Sequence, residues 1–460
     1  MARDIERRDF LVGAGTAGAV GLAGCIGGGG DGDGDGGDGG DGGDGGGDGG
    51  GYGGDGGDGG DGGPDMLAVI GYPQSGIQLF RDYYSMASEE HDILVPDGLR
   101  DGAMPGQVGN DMANVIGTAP AAGGPNQEAF TTMFQDQYDK EPGVFTSQSY
   151  DSVALQILAN AAAGENDGEA IRDQMRRIAN PEGTEYGPQN FLDAVEAAAN
   201  GEDINYQGAS SATNFNQAGD PASAAYAIWE FRGASQEGTN QVEVQSFEGA
   251  NPSGGGAMAG SAPGGMGRTI DVGILLPETG DLASVGGPMI QAAQLPARQV
   301  NDSDLDLEVN AQVEDTQTSP SAGVSAAEAL VNAGMPSVCG SASSGVNVPV
   351  SQEVFIPNQI VGCSPSSTAL SVTSLDDDDY IFRTAPSDQL QGRVMAQVAS
   401  ERLENSTAAT LYVNNDYGQQ LSNRFTEVFE EEFDGTVTDQ VAFNIGESSY
   451  TSVIETALSA

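Results

Sequence analysis

Two short loops of the chain are rich in hydroxyl side chains, which can donate hydrogen bonds to a bound solute. Ser343 and Ser344 follow one short apolar run, and Ser367 and Thr368 follow the next. In open α/β sheets, ligands bind beyond the carboxyl ends of the strands, so these hydroxyls and nearby backbone N–H groups would suit a carboxylate. Serine-rich loops are also common as plain turns and helix caps, and the residues alone leave both interpretations open.

The chain offers few residues for enzyme chemistry. His91 is the one histidine, which excludes sites built on several histidines and leaves little basis for a Ser-His-Asp set. The sequence also contains no phosphate-binding glycine loop and no clustered metal-ligand motif. We therefore predict a protein that is not an enzyme, with no catalytic residues, no metal site and no cofactor.

The first 25 residues have the pattern of an export signal. Arg7 and Arg8 precede a mildly apolar stretch, 12–24, whose 13 residues fall short of the roughly 20 needed to cross a bilayer. A paired arginine ahead of such a stretch is typical of a twin-arginine (Tat) signal. Residues 22–25 (LAGC) resemble a lipoprotein box, which would leave Cys25 as a lipidated N-terminus at the extracellular face of the cytoplasmic membrane.

The other two cysteines each close a short apolar run. Cys339 ends the run 335–339, and Cys363 ends the run 359–363. If these runs are neighbouring parallel strands, their ends could meet, and an oxidising exterior would permit a disulfide. Two buried free thiols are the alternative.

The charge balance is extreme. The chain has 68 acidic and 16 basic residues, a net charge of −52, and Lys140 is its one lysine. Such a surface repels nucleic acid and anionic lipid, so neither is an expected partner. At molar salt the Debye length falls to about 3 Å and the self-repulsion largely vanishes. This composition resembles that of haloarchaeal proteins, with an ordinary acidic secreted protein as the alternative.

Two segments have linker-like compositions. Residues 26–63 are almost entirely Gly and Asp apart from Ile26 and Tyr52, too little apolar content to form a core, which predicts a disordered tether. Residues 233–268 are polar and Gly-rich, which predicts a linker between two globular stretches.

Strands and helices alternate in both globular stretches, which predicts a doubly wound α/β fold with parallel sheets. About 370 globular residues exceed one typical core, so we expect two lobes. The predicted strands are 66–71, 91–95, 226–231, 270–276, 305–313, 335–339, 359–363, 376–384 and 408–413. The predicted helices are 77–88, 126–140, 149–163, 169–178, 287–300, 319–332, 390–403, 419–433 and 450–460.

The order of the two globular stretches is unusual. The chain stops at Ala460 within a helical pattern, and the first stretch opens at Pro64 directly on a strand. A helix followed by a strand is an ordinary connection, so we expect a circular permutation with the reading order 269–460 and then 64–232. A scrambled gene model is the alternative.

In that order the chain resembles the type I solute-binding proteins, which are the branched-chain amino acid (Leu/Ile/Val) receptors of ABC transporters. The similarity covers nearly all of both globular stretches. It is carried by 274–280 (ILLPETG), 340–345 (GSASSG), 364–368 (SPSST), 412–418 (YVNNDYG), 70–72 (IGY) and 95–98 (VPDG).

The resemblance implies two lobes that close on a ligand and are joined by three crossing segments. Residues 269–460 would be the family's N-terminal half and 64–232 its C-terminal half. Lobe one would comprise 269–386 and 121–205, and lobe two would comprise 387–460, 64–120 and 206–232.

The resemblance also implies roles for individual residues. The hydroxyls at 343, 344, 367 and 368 would hold the carboxylate of an amino acid, and the carbonyls of Ser367 and Thr368 could accept from its ammonium. Asp97 stands where the family usually carries a glutamate for the ammonium, although Pro-Asp-Gly is also a common turn. Tyr72 and Tyr417 would cover the ligand from lobe two.

We therefore expect a monomeric, lipid-anchored substrate-binding protein that captures a branched-chain or related amino acid and delivers it to an ABC transporter permease. One alternative is a sensory or structural surface lipoprotein of the same fold without transport. Another is a receptor for a different small solute, such as an amide or urea.

Overall fold

The computed structural model describes residues 63–87, 90–248, 252 and 265–459. The predicted export signal, Cys25 and the tether up to residue 62 lie outside these residues. Within the described ranges, no helix is both long and apolar enough to cross a membrane.

Fourteen strands and fourteen helices make up the described part of the chain. The strands are β1 (Met66–Ile70), β2 (Asp92–Val95), β3 (Val115–Pro120), β4 (Thr184–Tyr186), β5 (Ile204–Tyr206), β6 (Ser223–Phe231), β7 (Thr239–Glu248), β8 (Arg268–Leu276), β9 (Leu307–Asp315), β10 (Ser337–Gly340), β11 (Val361–Ser364), β12 (Ile381–Arg383), β13 (Thr407–Val413) and β14 (Thr436–Phe443). The helices are α1 (Pro73–Met86), α2 (Met104–Val108), α3 (Gln127–Tyr138), α4 (Thr146–Ala163), α5 (Gly168–Ala179), α6 (Phe191–Ala199), α7 (Ala283–Ala293), α8 (Leu295–Asn301), α9 (Pro320–Asn332), α10 (Ser344–Val350), α11 (Leu370–Thr373), α12 (Asp388–Gln397), α13 (Asp416–Phe433) and α14 (Thr451–Leu458).

Two large sheets organise these elements. Lobe one contains a five-stranded parallel sheet in the order β12-β11-β10-β8-β9. Lobe two contains a seven-stranded sheet in the order β14-β13-β1-β2-β3-β6-β7, in which the first five strands are parallel and the last two pair antiparallel. The predicted α/β class with two parallel sheets is confirmed.

The five parallel strands of each sheet have the same spatial order. Counted along the chain from β8, lobe one has the order 2-1-3-4-5, as in one of the two common doubly wound folds. Lobe two has the same order only when β13 and β14 are counted before β1. Strand β1 lies between β13 and β2, with Met66 in register with Ala408 on one side and Asp92 on the other.

Apolar runs form the centres of both sheets. All five side chains of β1 are buried, as expected for a parallel strand that is covered on both faces. Helix α4 is buried over its whole length except at Ala163, and it packs on β8, β10 and β11 of lobe one. A helix that is buried on every side cannot show a strong amphipathic pattern.

Three crossings between the two sheets lie wholly within the described residues, as predicted, and the chain passes between the sheets once more from β7 to β8. The crossings are residues 121–126 after β3, residues 207–222 before β6, and residues 384–387 before α12. They place the carboxyl ends of the parallel strands of the two lobes around a common cleft, where the side chains described below meet.

The prediction that 233–268 is a linker is wrong for β7, which lies within this range. This segment pairs antiparallel with β6 and forms the edge of the sheet, where a polar composition is compatible with a strand. Its Phe247 ring packs edge-on to Tyr226 at 6.0 Å, whereas Val242 and Val244 are exposed.

The expected disulfide is not formed. Cys339 and Cys363 are in register on the neighbouring strands β10 and β11, but both thiols are free and buried. Both side chains face helix α4, where the Cys339 thiol donates to the Ser149 carbonyl at 4.0 Å. Burial raises the pKa of the Cys339 thiol to about 12 and that of Cys363 further, so the reactive thiolate is suppressed.

Candidate functional site

Loops at the carboxyl ends of strands from both lobes enclose one small cavity. Lobe two contributes Tyr72 after β1, Asp97 and Gly98 after β2, and Tyr417 in the first turn of α13. Lobe one contributes Ala342, Ser343, Ser344 and Ser366, which follow β10 and β11. The cavity measures about 30 Å³, which is room for about two water molecules.

Tyr72 joins the two lobes directly. Its hydroxyl lies 2.8 Å from the Ser343 hydroxyl and accepts a hydrogen bond from the Asn415 amide at 3.0 Å. Because Asn415 supplies one proton to this oxygen, the phenol can use its own proton to donate to Ser343. The Tyr72 ring stacks on Tyr417, with centroids 5.8 Å apart and planes 10° apart. Burial raises the pKa of the Tyr72 phenol, which keeps it neutral.

Asp97 is the buried carboxylate of the cavity. Its Oδ1 accepts from the Gln391 amide at 2.7 Å and from the Tyr417 hydroxyl at 3.3 Å. No described residue donates to its Oδ2. Burial raises the pKa of Asp97 to about 6, against the opposing effect of the bonds from Gln391 and Tyr417.

A glycine allows the Asp97 turn to approach its neighbours. A Cβ at Gly98 would lie 2.4 Å from the Gly71 carbonyl oxygen and 3.0 Å from the Tyr417 hydroxyl. Glycine is therefore required where this turn meets Tyr417.

Asp388 is a second buried carboxylate next to the site, at the start of α12. Its oxygens form no hydrogen bond of normal geometry within the described part of the chain, and the nearby Thr368 hydroxyl opposes the effect of burial on the Asp388 pKa. Burial and the negative charge of Asp97 raise the pKa of Asp388 well above its usual range. This shift favours the protonated form of Asp388, which would limit the repulsion between the two carboxyl groups.

Ser343 and Ser344 lie at the beginning of α10 and line the cavity. The preceding Gly340 has φ +140°, and a Cβ there would lie 2.2 Å from the Leu275 carbonyl oxygen. The Ser344 hydroxyl accepts from the Ser367 hydroxyl at 3.1 Å and from the Ala369 N–H at 3.2 Å. Its own proton is therefore available to a ligand oxygen.

Ser367 and Thr368 lie behind the cavity, and neither residue lines it. Ser367 supports Ser344, whereas the buried Thr368 hydroxyl lies beside the Asp388 carboxyl group. The Ser367 carbonyl accepts from Arg383 at 3.1 Å, and the Thr368 carbonyl accepts from the Asp388 N–H at 2.8 Å. Both predicted acceptors for an ammonium are thus already used within the protein.

Arg383 fixes the position of the Ser367 loop through hydrogen bonds to its backbone. Its side chain is fully buried, donates to the carbonyls of Ser367 and Ala369, and pairs with Asp220 at 2.5 Å. Asp220 belongs to the second crossing segment, so this ion pair links the loop to the connection between the lobes.

An apolar wall completes the cavity. It consists of Leu282, Val285 and Met289 at the start of α7, and of Val144 and Phe145 before α4. The sequence pattern predicts the first helix of lobe one at 287–300, four residues after the true start of α7, so Leu282 and Val285 fall outside the predicted helix. The apolar spacing of Leu282, Val285 and Met289 is the signal that could have identified them.

A second contact between the lobes lies beside the cavity. Asp281 of lobe one accepts from the Ser75 N–H at 3.1 Å and from the Ser75 hydroxyl at 2.8 Å, at the start of α1 in lobe two. In the described ranges, no group of three or more His, Cys, Asp or Glu side chains is placed to hold a metal ion.

Comparison with known proteins identifies relatives that each cover less than half of the chain. Residues 269–460 match the family model described as periplasmic binding protein. Leu/Ile/Val-binding protein homolog 3 of Brucella melitensis is 28% identical over 158 residues, covering 34% of this chain and 42% of that protein. The leucine-, isoleucine-, valine-, threonine-, and alanine-binding protein of Pseudomonas aeruginosa is 27% identical over 178 residues, covering 38% and 47%.

Among solved structures, a leucine-binding protein from Thermotoga maritima is similar at 22% identity with a TM-score of 0.38, covering 41% of this chain and 53% of that chain. The chain spans less than half the length of the two curated relatives above. The names of these relatives describe binding proteins and not enzymes. The family model and the curated relatives support the resemblance to type I solute-binding proteins, and the family model places it over residues 269–460.

Proposed function

We propose that this protein is an extracytoplasmic substrate-binding lipoprotein of an ABC transporter, which captures a branched-chain or related amino acid between its two lobes. The observation that carries the proposal is the interlobe cavity, where two serine hydroxyls, one buried carboxylate and an apolar wall converge. A zwitterionic amino acid needs these three kinds of group.

In the proposed complex the ligand carboxylate accepts from Ser343 and Ser344. The Ser344 proton is already free, and Ser343 becomes able to donate outward while it accepts from Tyr72. Ser367 does not line the cavity, and it positions Ser344 through the hydrogen bond between their hydroxyls.

Asp97 is the proposed partner of the ligand ammonium. Its Oδ2 has no donor among the described residues, and the cationic ammonium would compensate the cost of burying this charge. Tyr417 orients Asp97 through the bond to Oδ1 and, with Tyr72, covers the ligand.

The cavity must widen to admit an amino acid. Its present volume is only about 30 Å³. The Tyr72–Ser343 bond joins the two lobes across the cavity, and the Ser75–Asp281 contact joins them at the same interface. We infer that the lobes separate at the three crossings and close again around the ligand, because ligand contacts to both lobes favour the closed form.

The proposed location and partners follow from the predicted export signal and from the relatives. Tat export, lipidation of Cys25 and attachment through the tether would hold the lobes at the extracellular face of the cytoplasmic membrane. A permease would then receive the solute from the closed lobes, and the acidic surface would suit a saline exterior.

We also propose that the chain order is a circular permutation. Support comes from the common strand order of the two lobes, which requires β13 and β14 to be counted before β1. A variant chain in which 265–459 precedes 63–248 is expected to fold with the same circular dichroism spectrum and ligand affinity. Failure of that variant to fold cooperatively would contradict the permutation.

Calorimetric titration of the full chain with amino acids in molar KCl tests the proposed function. Saturable 1:1 binding that is lost in both Ser344→Ala and Asp97→Asn is expected, with Ser374→Ala, a serine on an exposed loop, as a matched control. Binding that survives both substitutions, or no binding of any amino acid to a cooperatively folded protein, would contradict the proposal.

A further inference from the structure

A second, larger cavity adjoins the candidate site. It measures about 370 Å³ and lies between the lobes, with Val144 and Phe145 forming a wall that both cavities share. On the lobe-two side it is lined by Arg100 and by the end of β6 with the turn into β7.

Arg100 is the notable side chain of this cavity. It lies three residues after Asp97, and its guanidinium stacks over the Trp229 ring at 5.7 Å. Its Nε donates to the Thr239 hydroxyl at 3.4 Å, and its two terminal nitrogens have no partner among the described residues. Burial lowers the pKa of Arg100 to about 10, so the group is desolvated but still charged at neutral pH.

Arg100 is one of five arginines in the described chain that form no ion pair, although the protein is very acidic. Most arginines of the described chain form ion pairs, namely Arg172, Arg176, Arg177, Arg383, Arg393, Arg402 and Arg424. Arg100 forms none with a described carboxylate, despite 68 acidic residues in the sequence. A half-buried guanidinium without a counter-charge retains most of its capacity to bind an anion.

The net charge of the residues that line this cavity is positive. Arg232 also lines the cavity without an ion pair in the described structure, and its Nε donates to the Asn240 amide oxygen at 3.1 Å. Glu141 is the one acidic lining residue, and its side chain is exposed. Two cations and one solvated carboxylate therefore face the space.

We propose that this cavity receives an anionic group of the captured solute, so that the protein selects an amino acid with an acidic side chain. This inference rests on the proposed function, because the head group is held by Ser343, Ser344 and Asp97. The aliphatic stem of the side chain packs on Val144 and Phe145, and its carboxylate pairs with the terminal nitrogens of Arg100.

L-Glutamate and L-glutamine provide the test, because the two have nearly the same shape and differ in charge. Calorimetric titration of the full chain in molar KCl is expected to show glutamate binding about tenfold or more tightly than glutamine, since charge-assisted hydrogen bonds exceed neutral ones by that order. The preference is expected to vanish in Arg100→Gln and to persist in part in Arg100→Lys.

Arg298→Gln is the matched control. Arg298 also stacks over an aromatic ring, Tyr138 at 5.8 Å, and lies outside the cavity. Thermal melts of the variants establish that each is folded. Equal loss of glutamate affinity in Arg298→Gln and Arg100→Gln would overturn the inference.

The remaining outcomes separate this inference from the proposed function. Binding of leucine, isoleucine or valine without binding of glutamate overturns the inference and leaves amino acid capture intact. Glutamate binding that depends on Arg100 but is unchanged in Asp97→Asn and Ser344→Ala overturns capture by the head-group site. No binding of any of these amino acids overturns both.

Discussion

The hydroxyl of Tyr72, from lobe two, lies 2.8 Å from the hydroxyl of Ser343, from lobe one, although 271 residues separate them in the chain. Each residue follows a central parallel strand of its own sheet. The contact therefore links the relative position of the lobes directly to the side chains proposed to hold the ligand.

Tyr72→Phe is expected to weaken ligand binding by about 2- to 12-fold, which corresponds to the loss of a typical hydrogen bond. The phenylalanine retains the ring that stacks on Tyr417 but can neither donate to Ser343 nor accept from Asn415. Calorimetric titration measures the change. Tyr84→Phe is the control, because the Tyr84 hydroxyl bonds Asn114 within lobe two at 2.7 Å, and an equal effect of both substitutions would refute the role of Tyr72.

Ligand affinity is expected to fall as the pH is lowered through about 6. Burial raises the pKa of Asp97 from 3.8 to about 6, and the protonated group cannot pair with an ammonium. In Asp97→Asn, affinity is expected to be weak and nearly independent of pH between pH 5 and 8. A wild-type affinity that stays constant across pH 6 would argue against an Asp97–ammonium contact.

The same carboxyl predicts the pH dependence of stability without ligand. Because the folded pKa of Asp97 lies above the unfolded value, its favourable contribution is full below pH 3.8 and is lost as the pH rises through about 6. Asp97→Asn is therefore expected to raise the unfolding free energy at pH 8 relative to wild type, and to have less effect at pH 4. Urea unfolding at the two pH values measures this difference. A larger gain in unfolding free energy at pH 4 than at pH 8 would contradict the raised pKa of Asp97.

Arg383→Met is expected to lower the unfolding free energy by about 3–5 kcal/mol, because it leaves the Asp220 charge buried without its partner. It also removes the donors to the Ser367 and Ala369 carbonyls, so residual folded protein should bind ligand weakly. Arg393→Met is the control, since its ion pair with Glu432 is solvent-exposed and is expected to contribute about 1 kcal/mol or less. Similar losses in both variants would contradict the special role of the Arg383 pair.

Cys339 and Cys363 are expected to resist alkylation in the native protein and to react fully after unfolding without reductant. Their burial raises both thiol pKa values and closes access to the reagent. Mass spectrometry of the peptides that contain these residues measures the result. A peptide pair linked by a disulfide would contradict the free thiols.

Much of the fold could be predicted from the sequence because buried parallel strands are continuous apolar runs. The runs at 66–70 and 270–276 coincide with β1 and with the interior of β8. Strand β14 was missed because its alternating polar residues and half-buried positions weaken the apolar signal, and β3 was missed because Gly117 and Pro120 interrupt it. Strand β7 depends on pairing with β6 at the sheet edge, which composition does not encode.

The candidate site was only partly predictable. Ser343, Ser344, Asp97, Tyr72 and Tyr417 line one cavity, because each follows a parallel strand whose carboxyl end faces the cleft. Ser367 and Thr368 do not line it, because Arg383 holds their loop behind the cavity through the Ser367 carbonyl. The partners Gln391 and Asn415 come from other segments, and local spacing carries no information about such distant contacts.

The position of β1 affects how the chain must be assembled during synthesis. Met66 pairs with Ala408, 342 residues later, so one edge of this fully buried strand stays unmatched until β13 has been synthesised. Pairings of such long sequence separation form slowly, and exposed apolar strand edges favour aggregation in the meantime. Lobe two is therefore a late product of folding, and a ribosome that stalls before residue 407 would leave a sheet that cannot be completed.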